Sequence, residues 1–139
     1  MNAKKLLIGG IIGGIGYFLL GWLLYGNLLL GYFKDHLGPV PDYYRQPPLM
    51  EYLIIGNLGM GFLLSYIFVK GKVNYFGSGF IVGGIFGFLF AVANDFISYS
   101  TTLLLSRTFI LADIATMTVI SAITGAIAAM ASGTGDIES

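Results

Sequence analysis

The sequence predicts an all-α fold, a four-transmembrane-helix bundle forming a single integral membrane domain over residues 1–139. Three observations carry that reading. Hydrophobic residues make up 56% of the chain and charged residues 10%, where a soluble domain carries about 25% charged residues. The mean hydropathy is +0.83. The charges punctuate four apolar stretches, each near the roughly 20 residues needed to cross a hydrocarbon core about 30 Å thick. A chain of 139 residues cannot enclose so much apolar surface in one water-facing core, so the bilayer must be the solvent for much of it.

The first helix is expected at residues 6–32. Lys4 and Lys5 precede it, as in a signal peptide, but no charge occurs from residue 6 to residue 33. That run is well past the about 7–15 residues of a signal core, and no small-residue cleavage pattern follows it. A retained helix with its lysines inside is the expectation. The second helix is expected at 50–69, between Glu51 and Lys70, the third at 75–99 and the fourth at 108–131. Within lipid only helices satisfy their own backbone, and the 21 glycines are compatible with that, because glycine is frequent in membrane helices.

Between these helices, residues 34–48 hold all four prolines (Pro39, Pro41, Pro47 and Pro48) with mixed charges, which predicts a loop in water. Lys70-Gly71-Lys72 predicts a tight turn. Residues 100–107 read as a short polar link and residues 133–139 as a flexible acidic tail. Lys4, Lys5, Lys70 and Lys72 fall on one side, and Lys34, Arg45 and Arg107 on the other. By the positive-inside rule this predicts a multi-pass protein of the inner (cytoplasmic) membrane with both termini cytoplasmic.

An internal match accompanies the pattern. Ile11 to Leu20 (IIGGIGYFLL) resembles Ile81 to Phe90 (IVGGIFGFLF). The two helices would run in the same direction, which suggests two parallel-related helical hairpins; the alternative is chance matching of a Gly/Ile/Leu/Phe-rich composition. Gly9 and Gly13, Gly10 and Gly14, Gly79 and Gly83, and Gly83 and Gly87 each stand four apart, with Ser121, Gly125 and Ala129 in the fourth helix. Faces without side chains let backbones approach closely in lipid. Packing within one four-helix unit is favoured over a dimer interface, since the pattern is common.

Polar groups inside membrane helices are costly and usually face a partner or a cavity. Counted at 1.5 Å per residue, Asn27, Asn57, Asn94, Asp95 and Asp113 all fall in the outer half of their helices, joined by Tyr25, Tyr99 and Arg107. The inner half reads as a floor of Gly, Ile, Phe and Ala. In the fourth helix Asp113, Thr116, Ser121 and Thr124 share a sector of roughly 140°, with Thr118 outside it. A stripe headed by a carboxylate suits a cation or proton path; backbone hydrogen bonding by the hydroxyls is the alternative. For Asp95 and Asp113 three readings stand together: an ion pair with Arg107, a neutral carboxyl favoured by desolvation, or binding of a cationic substrate or proton. Asp113→Asn is expected to disturb function more than Asp95→Asn.

Other functions find little support. The single histidine, His36, reads as a solvated loop residue, and cysteine is absent. No metal-ligand spacing, no nucleophile–base set and no phosphate loop occurs, so neither an enzyme nor a cofactor is expected. With zero net charge and no basic stripe, no nucleic-acid partner is expected. Trp22, Tyr25 and Tyr32, with Tyr43 and Tyr44, fit an aromatic belt at the outer interface.

Gly21-Trp22-Leu23-Leu24-Tyr25-Gly26, with Gly56-Asn57 in the second helix, resembles a widespread group of uncharacterised bacterial four-helix membrane proteins, known only as a domain of unknown function. The likeness implies fold and membrane location, and no activity. The small multidrug transporters have a similar size and helix number, but the first helix here lacks their central glutamate. The expectation is therefore an integral membrane protein that binds or transports a small solute or ion through a polar pocket in the outer leaflet. Asp113 would carry the charge, Asn27, Asn57 and Asn94 would coordinate, and Arg107 would tune the carboxylates. Besides the lipid bilayer, the expected partners are further copies of the chain or another membrane protein. The alternatives are a non-catalytic accessory or scaffolding subunit of a larger membrane complex, and a lipid or lipophile binder.

Overall fold

The computed structural model describes residues 2–40, 45 and 47–133. The expected belt residues Tyr43 and Tyr44 and residues 134–139 of the expected tail lie outside the described residues. Among the described residues five α-helices follow one another: α1 (Ala3–Leu23), α2 (Leu30–Asp35), α3 (Met50–Gly71), α4 (Phe76–Thr101) and α5 (Arg107–Gly133). A π-helical turn, Leu24–Leu28, joins α1 to α2. Four segments, Ala3–Leu28, Met50–Gly71, Phe76–Thr101 and Arg107–Gly133, are long and apolar enough to cross a membrane. The chain is an all-α bundle with the form of a multi-pass membrane protein. Both termini of the described chain, with the α3–α4 turn, lie at one end, here the terminal end. The connections α2–α3 and α4–α5 lie at the other, the loop end.

The boundaries differ from the sequence expectation in two places, each for a local reason. The first spanning helix stops at Leu28, because Leu29 N–H bonds back five residues to Leu24 O at 2.7 Å and the chain restarts as α2. The third helix runs to Thr101, since the Thr101 and Thr102 hydroxyls donate to Ile97 O and Ser98 O at 2.9 and 2.7 Å and extend its last turn. The second helix ends as expected near Lys70, and Lys72 caps it in a left-handed conformation with φ 57° and ψ 38°. Val73 N–H then reaches Phe68 O at 2.9 Å, the six-to-one closure of a Schellman motif.

Helix α1 packs on α3, α4 packs on α5, and α1 against α5 joins the two pairs; α3 barely touches α4 or α5. The order across the bundle is therefore α3–α1–α5–α4. Each hairpin is closed by the same device. A Cβ on Gly61 of α3 would strike the backbone of Gly10 and Gly14, and a Cβ on Gly125 of α5 would strike Gly79 O and Gly83 Cα. Gly9 meets Ser65, Gly13 meets Gly61, and Gly87 meets Ser121. These glycines are buried inside the chain's own packing. In lipid, where tails compete for apolar contact, this close backbone approach gains the dispersion energy that holds helices together. The two hairpins share an internal lock and are joined mainly along α1–α5, with Leu64 and Phe68 of α3 reaching the same core. Tyr17, Leu64, Phe68, Ile120, Ala128 and Ala129 fill the core where they meet.

Candidate functional site: a carboxyl cluster at the loop end

The glycine stripe of α4 leads directly to the site. Gly79, Gly83, Gly87, Ala91 and Asp95 are spaced by four residues and all are buried, so they form one face along the helix. That face lies on α5, and Asp95 ends it at the loop end with 4% exposure. Its carboxyl group meets that of Asp113 across the α4–α5 contact. The Oδ2 atom of Asp95 is enclosed and has no hydrogen-bond partner among the described residues.

Asp113, half-buried on α5, is held from the other side. The Tyr25 hydroxyl donates to Asp113 Oδ1 at 2.6 Å and lies 3.4 Å from Asp113 O. Tyr25 belongs to the π-helical turn, the kind of helix distortion that often marks functional positions. The turn displaces backbone bonds, and Asn27 Nδ2 donates to Trp22 O at 2.8 Å in compensation. Tyr25 thus takes its place through a local rearrangement that a regular helix would not supply.

An aromatic lid and a loop clasp close the cluster on the loop side. Phe33 of α2 is 1% exposed, and its ring packs on those of Tyr25 at 5.2 Å and Phe109 at 4.9 Å. Phe109 lies one turn before Asp113 on α5. Beyond it, Gly38 N–H donates to Leu104 O at 3.0 Å and Leu37 pairs with Leu105 as an isolated bridge. The Ser106 hydroxyl donates to His36 O and accepts from Phe109 N–H at 3.1 Å, so one side chain ties the first loop to the start of α5.

The structure brings together Tyr25, Asp95 and Asp113 from the expected set. Asn27 is exposed and bonded to its own helix. Asn57 likewise donates to Leu53 O at 2.8 Å and lines a cavity that Tyr25 also borders. Asn94 is exposed, one residue and therefore about 100° away from Asp95. Arg107 Nε donates to Tyr99 Oη at 3.4 Å; among the described residues no salt bridge joins it to either aspartate. His36 Nδ1 lies 2.7 Å from Tyr32 O and its ring stacks on Tyr32. Among the described residues no group of three His, Cys, Asp or Glu side chains could hold a metal ion.

Deeper in the bundle, at mid-helix, a second polar layer joins Ser121 of the expected α5 stripe to Tyr17 of α1. Tyr17 Oη and Ser121 Oγ are 2.5 Å apart and buried, and Thr124 Oγ1, buried one turn beyond, has no partner among the described residues. Tyr17 was legible as a lone phenol in mid-helix that needs a partner, but no spacing within α1 identifies Ser121 as that partner. Of the hydroxyls on α5, Thr116 and Thr118 bond their own helix at Ala112 O and Ile114 O, while Ser121 and Thr124 turn into the core. No family model, curated protein or solved structure matches the chain.

Proposed function

We propose that this membrane protein binds a proton or a small monovalent cation between Asp95 and Asp113 as part of moving a small solute or ion. One observation carries the reading: a carboxyl oxygen without a hydrogen-bond partner among the described residues, on an aspartate 4% exposed, beside a second carboxyl in an apolar bundle. Two negative charges in contact in a low dielectric repel strongly and need a positive counterpart. Arg107 is turned to Tyr99 and does not provide it. Tyr25 would set the geometry of Asp113, and the Tyr17–Ser121 pair and Thr124 would continue a polar seam toward the terminal end. The resemblance carried by Gly21-Trp22-Leu23-Leu24-Tyr25-Gly26 and the lysine distribution support placement in the cytoplasmic membrane with the loop end facing outward, and a flux pathway suits a homo-oligomer.

Infrared difference spectroscopy on the protein in vesicles tests this directly. A step in sodium, potassium or proton concentration should change the carboxyl bands of the wild type, and Asp95→Asn and Asp113→Asn should each remove the change. Bands that do not respond to any of the three ions would sink the proposal and leave the cluster as internal hydrogen bonding in an accessory subunit.

A further inference from the structure

The hairpin of α1 and α3 is closed by glycines at the terminal end and opens toward the loop end. A Cβ on Gly21 would meet nothing within 4 Å, and one on Gly26 would meet only Trp22 Cδ1 at 3.7 Å. Into that opening runs a cavity of about 440 Å³, lined by Trp22, Leu53 and Asn57 and closed at its deep end by Tyr17 and Ile120. A second cavity of about 640 Å³ adjoins it, sharing Trp22, Gly26, Pro48, Met50 and Leu53, and adds Arg45 and Tyr52 at the rim. The deep part is apolar and within the about 300–1,000 Å³ of small-molecule sites. It is too small to admit another helix, whose diameter is about 10–12 Å.

From this arrangement we infer a binding site for one anionic phospholipid, with an acyl chain in the deep cavity and its phosphate at Arg45. Charge complementarity selects the occupant. The gap opens sideways to the bilayer between two spanning helices, so its ligand enters from the membrane. The cation stands at the rim while the walls are mainly apolar, with Asn57 and the phenols of Tyr17 and Tyr25 among them, which is the polarity of a lipid. Trp22 and Tyr52, 57% and 68% exposed, are amphipathic rings of the kind that sit at headgroup level. The site borders the carboxyl cluster at Tyr25, so its test uses Arg45 and Gly21, neither of which belongs to that cluster.

Trp22 is the only tryptophan and lines both cavities, which makes it the reporter. The full chain is reconstituted in phosphatidylcholine vesicles with increasing fractions of bromine-labelled phosphatidylglycerol or bromine-labelled phosphatidylcholine, and tryptophan quenching is followed. The anionic lipid should half-quench Trp22 at about fivefold lower mole fraction, the effect of one basic residue near an anionic lipid. Arg45→Gln should remove that advantage. Gly21→Leu, which grows into the cavity without meeting backbone, should remove the early phase of quenching while circular dichroism stays unchanged. Equal quenching by both lipids in the wild type overturns the inference, and so does a preference that survives both substitutions.

Discussion

The terminal half and the loop half of the bundle solve the same problem in different ways. In the terminal half, glycine sits in glycine: Gly61 between Gly10 and Gly14, Gly125 between Gly79 and Gly83. Helices there touch through their backbones, and there is no room for a methyl group. In the loop half α1 and α3 stand apart around a cavity, and aromatic rings and carboxyl groups fill the contacts of the other helices. The difference teaches where function can be placed. Close backbone packing leaves no space between the touching glycine faces, and the groove of about 540 Å³ beside them is lined by apolar residues such as Phe80, Ile81, Ala122 and Ile123, whereas the loop half encloses carboxyl groups between its helices.

The largest expected effect comes from exporting one half's rule to the other. Gly61→Leu forces two helices apart against backbone atoms, so it should cost about 3 kcal/mol or more, the upper range for overpacking. Gly21→Leu, facing open space, should change stability by no more than about 0.5 kcal/mol. Reversible unfolding in mixed micelles measures both. Equal costs would remove the distinction between the two halves.

A smaller effect separates function from stability at the carboxyl cluster. Tyr25→Phe deletes the 2.6 Å bond to Asp113 and should destabilise by about 1.5–3 kcal/mol, the range for bonds to charged groups. Asp95→Asn should do the opposite: it removes one of two facing carboxyls and its amide can donate to the other, worth about 1 kcal/mol of added stability. An active site that is strained for its task behaves in this way. Destabilisation by Asp95→Asn, seen in the same unfolding assay, would mean that the pair is a structural bond rather than a binding site.

The smallest effect lies at the α3–α4 turn. Lys72 holds φ 57°, a conformation that costs a residue with a Cβ roughly 1–2 kcal/mol. Lys72→Gly removes that cost but adds unfolded-chain entropy, so a gain of about 0.5 kcal/mol is expected. A loss instead would show that the Lys72 side chain contributes a contact of its own at the terminal end.

Much of the fold was legible because its signals are one-dimensional. Length and apolarity specify the spans, and prolines and lysine pairs mark the connections. Glycines at four-residue spacing mark helix faces before any partner is known. Tyr25, Asp95 and Asp113 could be singled out for the same reason, since a polar side chain in a membrane helix needs an explanation wherever it points. Depth along each helix was readable at 1.5 Å per residue, and it placed these three residues in one half of the bundle together with Asn27, Asn57, Asn94 and Arg107.

Rotation about each helix axis was not readable in that way. A shift of one residue turns a side chain by about 100°, which separates Asn94 on the surface from Asp95 in the core. The π-helical turn that carries Tyr25, the Phe33 lid and the clasp between His36 and Ser106 depend on residues far apart in the chain. The sequence by itself determined the four apolar spans and the place of each polar residue along them, because those follow from local composition and the length a bilayer requires. The tertiary structure alone decided that α1 meets α5, that Tyr17 finds Ser121 and that two aspartates face each other, because partner choice depends on how whole helix surfaces fit.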